Sequence, residues 1–436
     1  MNRFNNVIIN KLKIRYFIGR NLFMKKVVYM LTTVFYPSIG GRESHIHNIS
    51  KELVKNGNIV KIINPVINLE NTSVEILDGI EVHRIKIGDS KSEEIYLNYK
   101  NKSNGLMGYI SGYLRKNFYN KFYRVITEFI ENDIKYNNYK KENIIIHQHD
   151  FISGYKLSKE LSKTYRIIFT NHTGEFLFLK KLPFNKIIIK KLTKHFNYIM
   201  SPSEELNKFQ GIRDERTFSY IPNGVNLDDF YVATDEEIRK NRLNFGINEN
   251  KCIILCPRRW APTKGIIYLI KAINILKKRD ISEKIEFVFI GNDYEDYPEY
   301  KSEIFNFIKE NNLADYIKLL GNIEYDNMNK ITQASDIIVI PSLMEAVSLS
   351  MLESMSCGKI VIGSNTGGIP EVIKDNNNGF LFKRGDESYL AERLYYIIKE
   401  YDNLDYIRRN ARKVVEESYS WEIVTSKIEK IYNEAL

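Results

Sequence analysis

Short apolar runs alternate with amphipathic runs along most of the chain, and this alternation predicts strands followed by helices. In the first half the apolar runs predict strands at 27–35, 59–64, 82–87, 144–150, 166–170, 198–200 and 218–221. The first run leads through the turn Gly40-Gly41 into a helical pattern at 43–55, which stops at Asn56-Gly57. This order of strand, glycine turn and helix predicts the opening of a βαβ unit.

The second half of the chain repeats the alternation. Strands are predicted at 252–256, 285–290, 317–320, 337–340, 360–362 and 379–382, with helical patterns between them at 266–277, 300–310, 326–333 and 347–357. Further helical patterns at 389–399, 404–415 and 421–434 finish the chain. Strands that alternate with helices favour parallel sheets covered on both faces. The predicted fold is therefore α/β, with two Rossmann-like doubly wound parallel-sheet domains facing each other across a cleft.

The length of 436 residues exceeds what one hydrophobic core supports, so more than one domain is predicted. The boundary is predicted in the polar and charged run at 233–241, which precedes a new apolar strand. We predict an N-terminal domain at 24–235, a C-terminal domain at 236–418 and a terminal helix at 419–436. Residues 1–23 carry scattered Lys and Arg without a continuous apolar core. They are therefore predicted to be a basic extension rather than a secretory signal.

Composition indicates which partners and which cellular compartment suit the protein. Lys and Arg number 64 against 54 for Asp and Glu, and the net charge of +10 suits anionic partners; a general bias towards Lys, Asn and Ile explains it equally well. The three cysteines, Cys252, Cys256 and Cys357, lack a paired metal-ligand spacing and fit a reducing compartment. No uncharged apolar run reaches the about 18 residues of a membrane-spanning helix. We predict a cytoplasmic protein without a metal site.

A segment dense in Tyr, Phe, Lys and Asn lies at 91–133, and its basic and aromatic residues interleave at 113–124. Such a surface can grip an acceptor or a membrane interface, here at the inner face of the membrane. An amphipathic helix that covers the sheet and keeps its cations in water explains the pattern more simply. We therefore predict a helix at 113–124 and keep peripheral membrane contact as the alternative.

The first candidate site is Arg258-Arg259-Trp260-Ala261-Pro262-Thr263-Lys264-Gly265, directly after the first strand of the second domain. Fixed cations at a strand end suit a diphosphate, because Arg259 can fork onto two oxygens and Lys264 supplies a point charge. The glycine spacing of a Walker A loop is missing, so the sequence does not support a kinase or an ATPase.

A second candidate site lies within 341–370. A helix beginning near Val347 would direct its free N–H groups at an anion, Glu353 can accept hydrogen bonds from a ribose diol, and Glu345 can hold sugar hydroxyls. Taken alone, two ordinary helix carboxylates explain this pair equally well. The turn Gly367-Gly368 ends a third strand, and its amides can reach the same anion. The convergence of three such elements favours a ligand site.

Histidines mark the strand ends of the first domain. His149, with Asp150 beside it, lies at the end of one predicted strand, and His172 follows the next; the chain contains seven histidines in all. In an open parallel sheet the ligand crevice lies beyond the carboxyl ends of the strands. We therefore predict that His149 and His172 lie at the crevice.

Several motifs carry a resemblance to a known family: Pro-Ser-x-x-Glu345 with Leu-Glu353-Ser-Met-Ser-Cys-Gly-Lys, Gly367-Gly368-Ile369-Pro370-Glu371, Arg259 with Lys264-Gly265, Gly40-Gly41, His147-x-His149, Ser201-Pro202-Ser203 and Ile221-Pro222-Asn223-Gly224-Val225. In combination they resemble a retaining glycosyltransferase of family 4 with the GT-B fold. The resemblance runs from about residue 25 to the C-terminus.

The resemblance implies roles on the donor side. Arg259 and Lys264 would neutralise the diphosphate of a nucleotide-sugar donor and stabilise it as a leaving group, and Glu353 would bind the ribose. Glu345 would hold the donor sugar. The residues expected to add backbone contacts to the donor are Val347, Ser348, Leu349, Gly367, Gly368 and, in the first domain, Gly41.

The acceptor side follows from the same resemblance. His149 would lie near the transferred sugar, with Asp150 and His172 as acceptor-side candidates, in an N-terminal domain that takes the acceptor. The segment that begins at Trp421 would cross back to that domain. The implied reaction moves a hexosyl or N-acetylhexosaminyl group from a UDP- or GDP-linked donor with retained configuration and without a required cofactor or metal.

The implied acceptor is a glycan, a lipid-linked saccharide or a small molecule, as in cell-surface glycan, glycolipid or polysaccharide synthesis, and no nucleic-acid partner is expected. Val347 and Ser348 stand where many relatives have an aromatic residue and a glycine, so the donor sugar is not carried over. Two other functions stay open: an epimerase of nucleotide sugars with the same shape, and a non-catalytic sugar-binding protein. The first lacks assignable acid and base groups beyond the histidines, and the presence of Arg259, Lys264 and both glutamates argues against the second.

Overall fold

The chain contains two β-sheets, and its residues fall into two compact units that have most of their contacts within themselves. The computed structural model describes residues 25–37, 40–67, 69–100, 106–172, 179, 184–203, 218–280, 284–291 and 297–435, so the predicted extension at 1–23 lies outside the described residues. The first unit comprises Met1–Met200, Gln210–Phe218 and Ile428–Leu436, and the second comprises Ser201–Phe209 and Ser219–Lys427.

The first sheet is built from strands β1 Val27–Leu31, β2 Ile59–Ile67, β3 Ser73–Leu77, β4 Ile80–Ile87, β5 Ile144–Gln148, β6 Arg166–Thr170, β7 Tyr198–Ser201 and β8 Phe218–Tyr220. Its helices are α1 Gly41–Lys55, α2 Ser90–Lys100, α3 Leu106–Phe118, α4 Tyr123–Tyr136, α5 Tyr155–Leu161 and α6 Asn185–Thr193. The strand order is β3-β4-β2-β1-β5-β6-β7-β8.

β1 is the central strand of this sheet. It runs parallel to β2 and β5, with Val28 opposite Val60 and Ile145. Val28, Tyr29 and Met30 are 0% exposed, which accounts for the continuous apolar run, since a strand covered on both faces needs no polar alternation. The carboxyl ends of β1, β5 and β6 therefore meet at one edge, where the candidate histidines lie.

Two features of the first sheet differ from the prediction. β3 pairs antiparallel with β4, and its side chains Val74 and Ile76 are 59% and 67% exposed, so this edge strand carries little of the burial signal that reveals strands. The single helix predicted at 113–124 is wrong. The chain breaks into a 3-10 turn at Tyr119–Lys121, because buried Asn120 donates to the Ile152 carbonyl and accepts from the Lys156 amide.

The second sheet is parallel throughout its described pairs and contains β9 Cys252–Pro257, β10 Ile285–Ile290, β11 Ile317–Leu319, β12 Ile337–Ile340, β13 Ile360–Ser364 and β14 Phe380–Phe382. Its helices are α7 Asp235–Asn244, α8 Ile266–Leu276, α9 Pro298–Glu310, α10 Met328–Gln333, α11 Leu349–Ser356, α12 Ile369–Val372, α13 Glu387–Lys399 and α14 Asp405–Ser418, followed by α15 Trp421–Ala435. The strand order is β11-β10-β9-β12-β13-β14.

The polar run at 233–241 contributes to a helix of the second unit. Thr234 caps α7 by accepting from the Glu237 amide, and the Glu237 carboxylate accepts from the Thr234 amide. This reciprocal capping box explains why so polar a run is helical. In the structure the chain passes from the first unit to the second earlier than this run, between Phe218 and Ser219.

The last helix, α15, ends in the first unit, which includes Ile428–Leu436. There the Tyr432 hydroxyl lies 2.6 Å from Nδ1 of His147 on β5. Among the residues that the structure describes, none of the helices has the length and apolar composition needed to cross a bilayer.

We expect Gly265→Ala to destabilise the chain more than Gly246→Ala. Both glycines have positive φ, 67° and 58°, so each substitution has the cost of about 1 kcal/mol that a left-handed alanine carries. A Cβ at Gly265 would also lie 2.0 Å from the Pro341 carbonyl oxygen, whereas the nearest atom at Gly246 is the Lys318 amine at 3.5 Å. Equal shifts in the urea midpoints of the two variants would contradict this packing argument.

Candidate functional site

Three loops meet at the carboxyl ends of β9, β12 and β13 in the second unit. These strands are neighbours in the sheet, so the loops that leave them are neighbours too. We call the three loops together, residues 258–265, 341–348 and 365–368, the strand-end site. Each loop leads into a helix, α8, α11 or α12.

Backbone and hydroxyl hydrogen bonds hold the three loops together. The Leu343 amide donates to the Thr263 carbonyl at 2.8 Å, and the Ser364 hydroxyl donates to the Ser342 carbonyl at 2.5 Å. Gly367 has a φ of 52°, and a Cβ there would lie 1.7 Å from the Glu345 carbonyl oxygen. Glycine is therefore required where the third loop passes the second.

Glu345 is the centre of the strand-end site. Its Oε2 accepts from Lys264 Nζ at 2.9 Å, from the Ser342 hydroxyl at 3.1 Å, and from Arg258 Nη2. The other terminal nitrogen of Arg258, Nη1, donates to the hydroxyls of Ser348 and Ser350, both at 2.9 Å. Two cations from one loop thus share one carboxylate from the next.

The charges of this cluster are largely removed from water. The side chains of Arg258, Glu345 and Lys264 are 9%, 12% and 24% exposed. Burial, with the guanidinium groups of Arg258 and Arg259 nearby, lowers the pKa of Lys264 from its ordinary value. If an arriving anion favours protonation of Lys264, the two cations exceed the Glu345 carboxylate by about one positive charge, which the anion would neutralise.

Glu353 lies on α11 and is 5% exposed. Burial raises the pKa of its carboxyl group to about 7, against the opposing effects of a hydrogen bond from Tyr325 and of the Arg258 charge. A carboxyl group that is close to half protonated near neutral pH can both donate and accept hydrogen bonds. This is chemistry suited to a hydroxyl-rich ligand.

The helix α11 begins at Leu349, near the predicted start at Val347. The Val347 amide, however, already donates to the Pro202 carbonyl at 3.4 Å. Asn223 donates to the Val347 carbonyl at 2.6 Å and fixes this residue further. Ser348 is the N-cap residue, but its side chain makes no capping hydrogen bond and contacts Arg258 instead. Among the described residues, Ser348 therefore supplies no side-chain cap to the first-turn amides of α11.

In the first unit, Asp150 is held by several donors at the end of β5. Its Oδ2 accepts from the Thr33 amide at 2.5 Å and from the Thr33 hydroxyl at 3.0 Å, and its Oδ1 is paired with Arg42. Arg42 follows Gly41 in the first turn of α1 and also pairs with Glu43 at 2.8 Å. The Asp150 side chain is 9% exposed, and its carboxylate oxygens are taken up by these contacts.

The candidate histidines of the first unit pack against one another. His149 Nδ1 lies 3.0 Å from His172 Nε2, and His149 Nε2 lies 3.4 Å from the Met30 sulfur. The His172 ring also packs edge-on against His45, with ring centroids 4.7 Å apart. Burial and the neighbouring imidazoles keep the pKa values of His149 and His172 well below the ordinary histidine value, so both rings are neutral at pH 7.

The structure brings together some of the predicted residues and separates others. Lys264, Glu345 and the Gly367-Gly368 turn meet, but the Gly368 amide donates to the Glu345 carbonyl at 3.3 Å rather than into open space. Arg259 is exposed, and the guanidinium at Glu345 belongs to Arg258. His149 and His172 come together, while Asp150 is held by Thr33 and Arg42, and His149 is 0% exposed.

The sequence prediction missed Arg258, Ser342, Ser350 and Arg42. Side chains alternate between the two faces of a strand, and if this continues just past β9 one of Arg258 and Arg259 faces inward; the sequence does not say which. Serines at 342, 348 and 350 surround Glu345 in sequence, and their spacing was the available signal. Arg42 follows Gly40-Gly41 at a helix start, where a cation facing a nearby carboxylate is readable only from the fold.

The family model described as "Glycosyl transferases group 1" matches residues 237–414. An uncharacterized glycosyltransferase of Methanocaldococcus jannaschii is 24% identical over 410 residues, which cover 93% of this chain and 97% of that protein. N-acetyl-alpha-D-glucosaminyl L-malate synthase of Bacillus anthracis is 23% identical over 304 residues, which cover 68% of this chain and 76% of that protein.

Among solved structures, Anabaena HepE in complex with UDP aligns with a TM-score of 0.68 at 16% identity and covers 94% of this chain and 100% of that chain. The fold is GT-B, with two Rossmann-like α/β sheets, as the sequence predicted. Together the matches support a glycosyltransferase that takes its sugar from a donor.

We expect Glu353→Gln to stabilise the chain relative to wild type at alkaline pH. The folded-state pKa of about 7 lies above the unfolded value of 4.5, so this carboxyl group favours folding below pH about 4.5 and loses that contribution as pH rises through about 7. The free energy of unfolding of wild type should fall relative to Glu353→Gln by about 2–3 kcal/mol from about pH 5 to about pH 8. Urea unfolding checks this, with Glu310→Gln on an exposed helix face as the matched control. A difference that does not change with pH would contradict the buried, protonated state.

Proposed function

We propose that the protein is a retaining glycosyltransferase that moves a hexosyl or N-acetylhexosaminyl group from a UDP- or GDP-linked donor to an acceptor hydroxyl. The observation that carries this proposal is the carboxylate of Glu345 held by both Lys264 and Arg258 beside the uncapped N-terminus of α11. Buried cations next to free helix amides form a binding site for a diphosphate.

The diphosphate would take the cationic side of the strand-end site. Lys264 is the more exposed of the two cations at Glu345 and can turn from the carboxylate to a phosphate oxygen. The exposed Arg259, on the same loop, supplies a second charge that can fork onto the leaving phosphate. Fixed positive charges in a water-poor site stabilise the charge that develops on the departing nucleoside diphosphate, which is the main electrostatic task of this reaction.

The two glutamates would bind the donor sugar and the ribose through hydrogen bonds. Glu345 lies at the cationic cluster and would hold hydroxyls of the donor sugar, and the Gly367-Gly368 turn packs against its backbone. We expect Ser348 and Leu349 to add contacts to the same sugar. Glu353, about one turn into α11, would receive the ribose diol. The Val347 amide is engaged by Pro202, so this residue contributes shape rather than a free donor.

Front-face attack accounts best for retention here. The Asp150 carboxylate is occupied by Arg42 and Thr33, which makes it a poor nucleophile. In the proposed step the acceptor oxygen bonds to the anomeric carbon on the face from which the phosphate leaves, and the phosphate oxygen takes the hydroxyl proton. His172, half-buried, is the more accessible acceptor-side candidate, and buried His149 would support it through their shared contact.

The acceptor is proposed to be a glycan, a lipid-linked saccharide or a small molecule, in cell-surface glycan synthesis. The name of the Bacillus anthracis relative supports the small-molecule class, and the UDP complex of the Anabaena structure supports a nucleotide-linked donor. Neither a cofactor nor a metal ion enters the proposed step, because the leaving-group charge is met by side chains and backbone amides.

We also propose peripheral contact with an anionic membrane at the cytoplasmic face. Phe184 and Ile187, at the start of α6, are 80% and 67% exposed. Four exposed lysines flank them, at Lys186, Lys190, Lys191 and Lys194. Apolar side chains surrounded by cations fit the headgroup region of an anionic lipid surface.

We expect Lys264→Ala to lower kcat/KM for the donor by roughly 10²–10³-fold, the loss typical when a group that stabilises developing charge is removed. Release of nucleoside diphosphate from UDP-glucose, UDP-N-acetylglucosamine or GDP-mannose measures this. Lys309→Ala removes the same charge from an exposed end of α9 and should leave turnover unchanged. Unaltered turnover in Lys264→Ala would sink the phosphate assignment.

We expect Lys190→Glu/Lys191→Glu to weaken binding to vesicles of phosphatidylcholine and phosphatidylglycerol by at least about tenfold, since each juxtamembrane cation contributes about 1 kcal/mol. Co-sedimentation with the vesicles measures the effect. Lys278→Glu/Lys309→Glu changes net charge equally in the second unit and serves as the control. Equal loss in both double variants would show a general charge effect and no surface at α6.

A further inference from the structure

Arg258 connects the two ends of the second loop of the strand-end site. Through Nη2 it holds the Glu345 carboxylate and the Ser342 hydroxyl, the latter at 3.2 Å. Through Nη1 it holds Ser348 and Ser350, at the first turn of α11. One planar guanidinium group therefore fixes the distance between Glu345 and the start of the helix that follows it.

We do not expect the buried Arg258 guanidinium to stabilise the fold. The Arg258 side chain is 9% exposed, and its Nε has no acceptor among the residues that the structure describes. A buried cation with an unmet N–H group costs free energy, and apolar residues of similar size often replace buried ion pairs without loss. The geometry favours a role in positioning over a role in folding.

Neither terminal nitrogen of Arg258 is directed at open space, because both donate to side chains of its own site. Lys264, in contrast, is 24% exposed and its amine donates to Glu345, and Arg259 is exposed. Those two residues are therefore better placed to receive a diphosphate. Arg258 is left with the carboxylate and the serines.

We propose that Arg258 is the residue that positions Glu345 against the donor sugar, and that the cluster Arg258, Ser342, Ser348 and Ser350 sets which donor sugar is accepted. This inference rests on the proposed function, since it concerns how the same site holds its donor. Arg258 would not touch the phosphates. It would act through Glu345 and through the Ser348 hydroxyl.

Ser348 extends the same argument to specificity. Its hydroxyl lies 3.1 Å from that of Ser350, and both are oriented by Arg258. A fixed hydroxyl beside Glu345 adds one directed hydrogen-bond partner for a sugar hydroxyl or an acetamido group. Sites that hydrogen-bond a particular substituent discriminate strongly against donors that lack it.

The test is a double-mutant cycle between Arg258→Met and Glu345→Ala, read by donor kinetics and by calorimetry of UDP and GDP binding. We expect Arg258→Met to lower kcat/KM about 10²-fold, as a misplaced catalytic contact does, and to change the preference among UDP-glucose, UDP-N-acetylglucosamine and GDP-mannose. The affinity for the nucleoside diphosphate should stay within about twofold. In the Glu345→Ala background the substitution should have a much smaller effect, limited to what Arg258 does through the Ser348 hydroxyl.

Arg258→Lys retains the charge but has only one nitrogen for four partners, so it should recover the fold and only part of the activity. Ser354→Ala removes a hydroxyl from the same helix, where it donates to the Ser350 carbonyl at 2.6 Å, and should leave donor preference unchanged. Thermal unfolding of each variant separates lost folding from lost positioning.

Two results would overturn this inference alone: a loss of nucleoside diphosphate affinity in Arg258→Met as large as its loss of kcat/KM, or a full-sized effect of Arg258→Met in the Glu345→Ala background. The first result would make Arg258 a direct phosphate ligand, and the second would show that Arg258 acts independently of Glu345. A wild-type chain that neither binds nor turns over any of the donors would instead overturn the proposed function, and this inference with it.

Discussion

The strand-end site depends on one physical constraint, the close approach of three backbone loops around a single carboxylate. Gly265 and Gly367 leave no room for a side chain against Pro341 and Glu345, and hydrogen bonds between the loops fix their spacing. Because the backbone is held this tightly, the Glu345 carboxylate can meet two cations at once in a region with little water. The charge chemistry of the second unit follows from that packing.

The same packing explains the unusual proton affinities of the site. Burial lowers the pKa of Lys264 and raises that of Glu353, so both groups are less charged in the free protein than they would be in water. A polyhydroxylated anion would reverse both effects by supplying charge to the lysine and hydrogen bonds to the glutamate. Burying Lys264 and Glu353 therefore costs folding free energy in the free protein, and binding of the expected ligand would offset that cost.

Much of the fold could be predicted from the sequence. Parallel strands buried on both faces form continuous apolar runs, and helical patterns separate these runs at regular intervals. β3 was missed because its side chains face solvent, and the helix at 113–124 was misjudged because a buried asparagine, Asn120, breaks it through contacts distant in sequence. In the site, Lys264 and Glu345 were found together. The choice between Arg258 and Arg259 was not, since it depends on which side of the strand end faces the second loop.

The most direct measurement of the central claim is proton uptake when UDP or GDP binds at about pH 8, obtained by calorimetry in two buffers with different ionisation enthalpies. With its pKa lowered by burial, Lys264 should be largely neutral in the free chain and should gain a proton when a diphosphate arrives. The account predicts net proton uptake in wild type and its loss in Lys264→Met at saturating ligand. Failure of both nucleotides to bind, or the same uptake in the variant, would contradict a diphosphate site at Lys264 and Glu345.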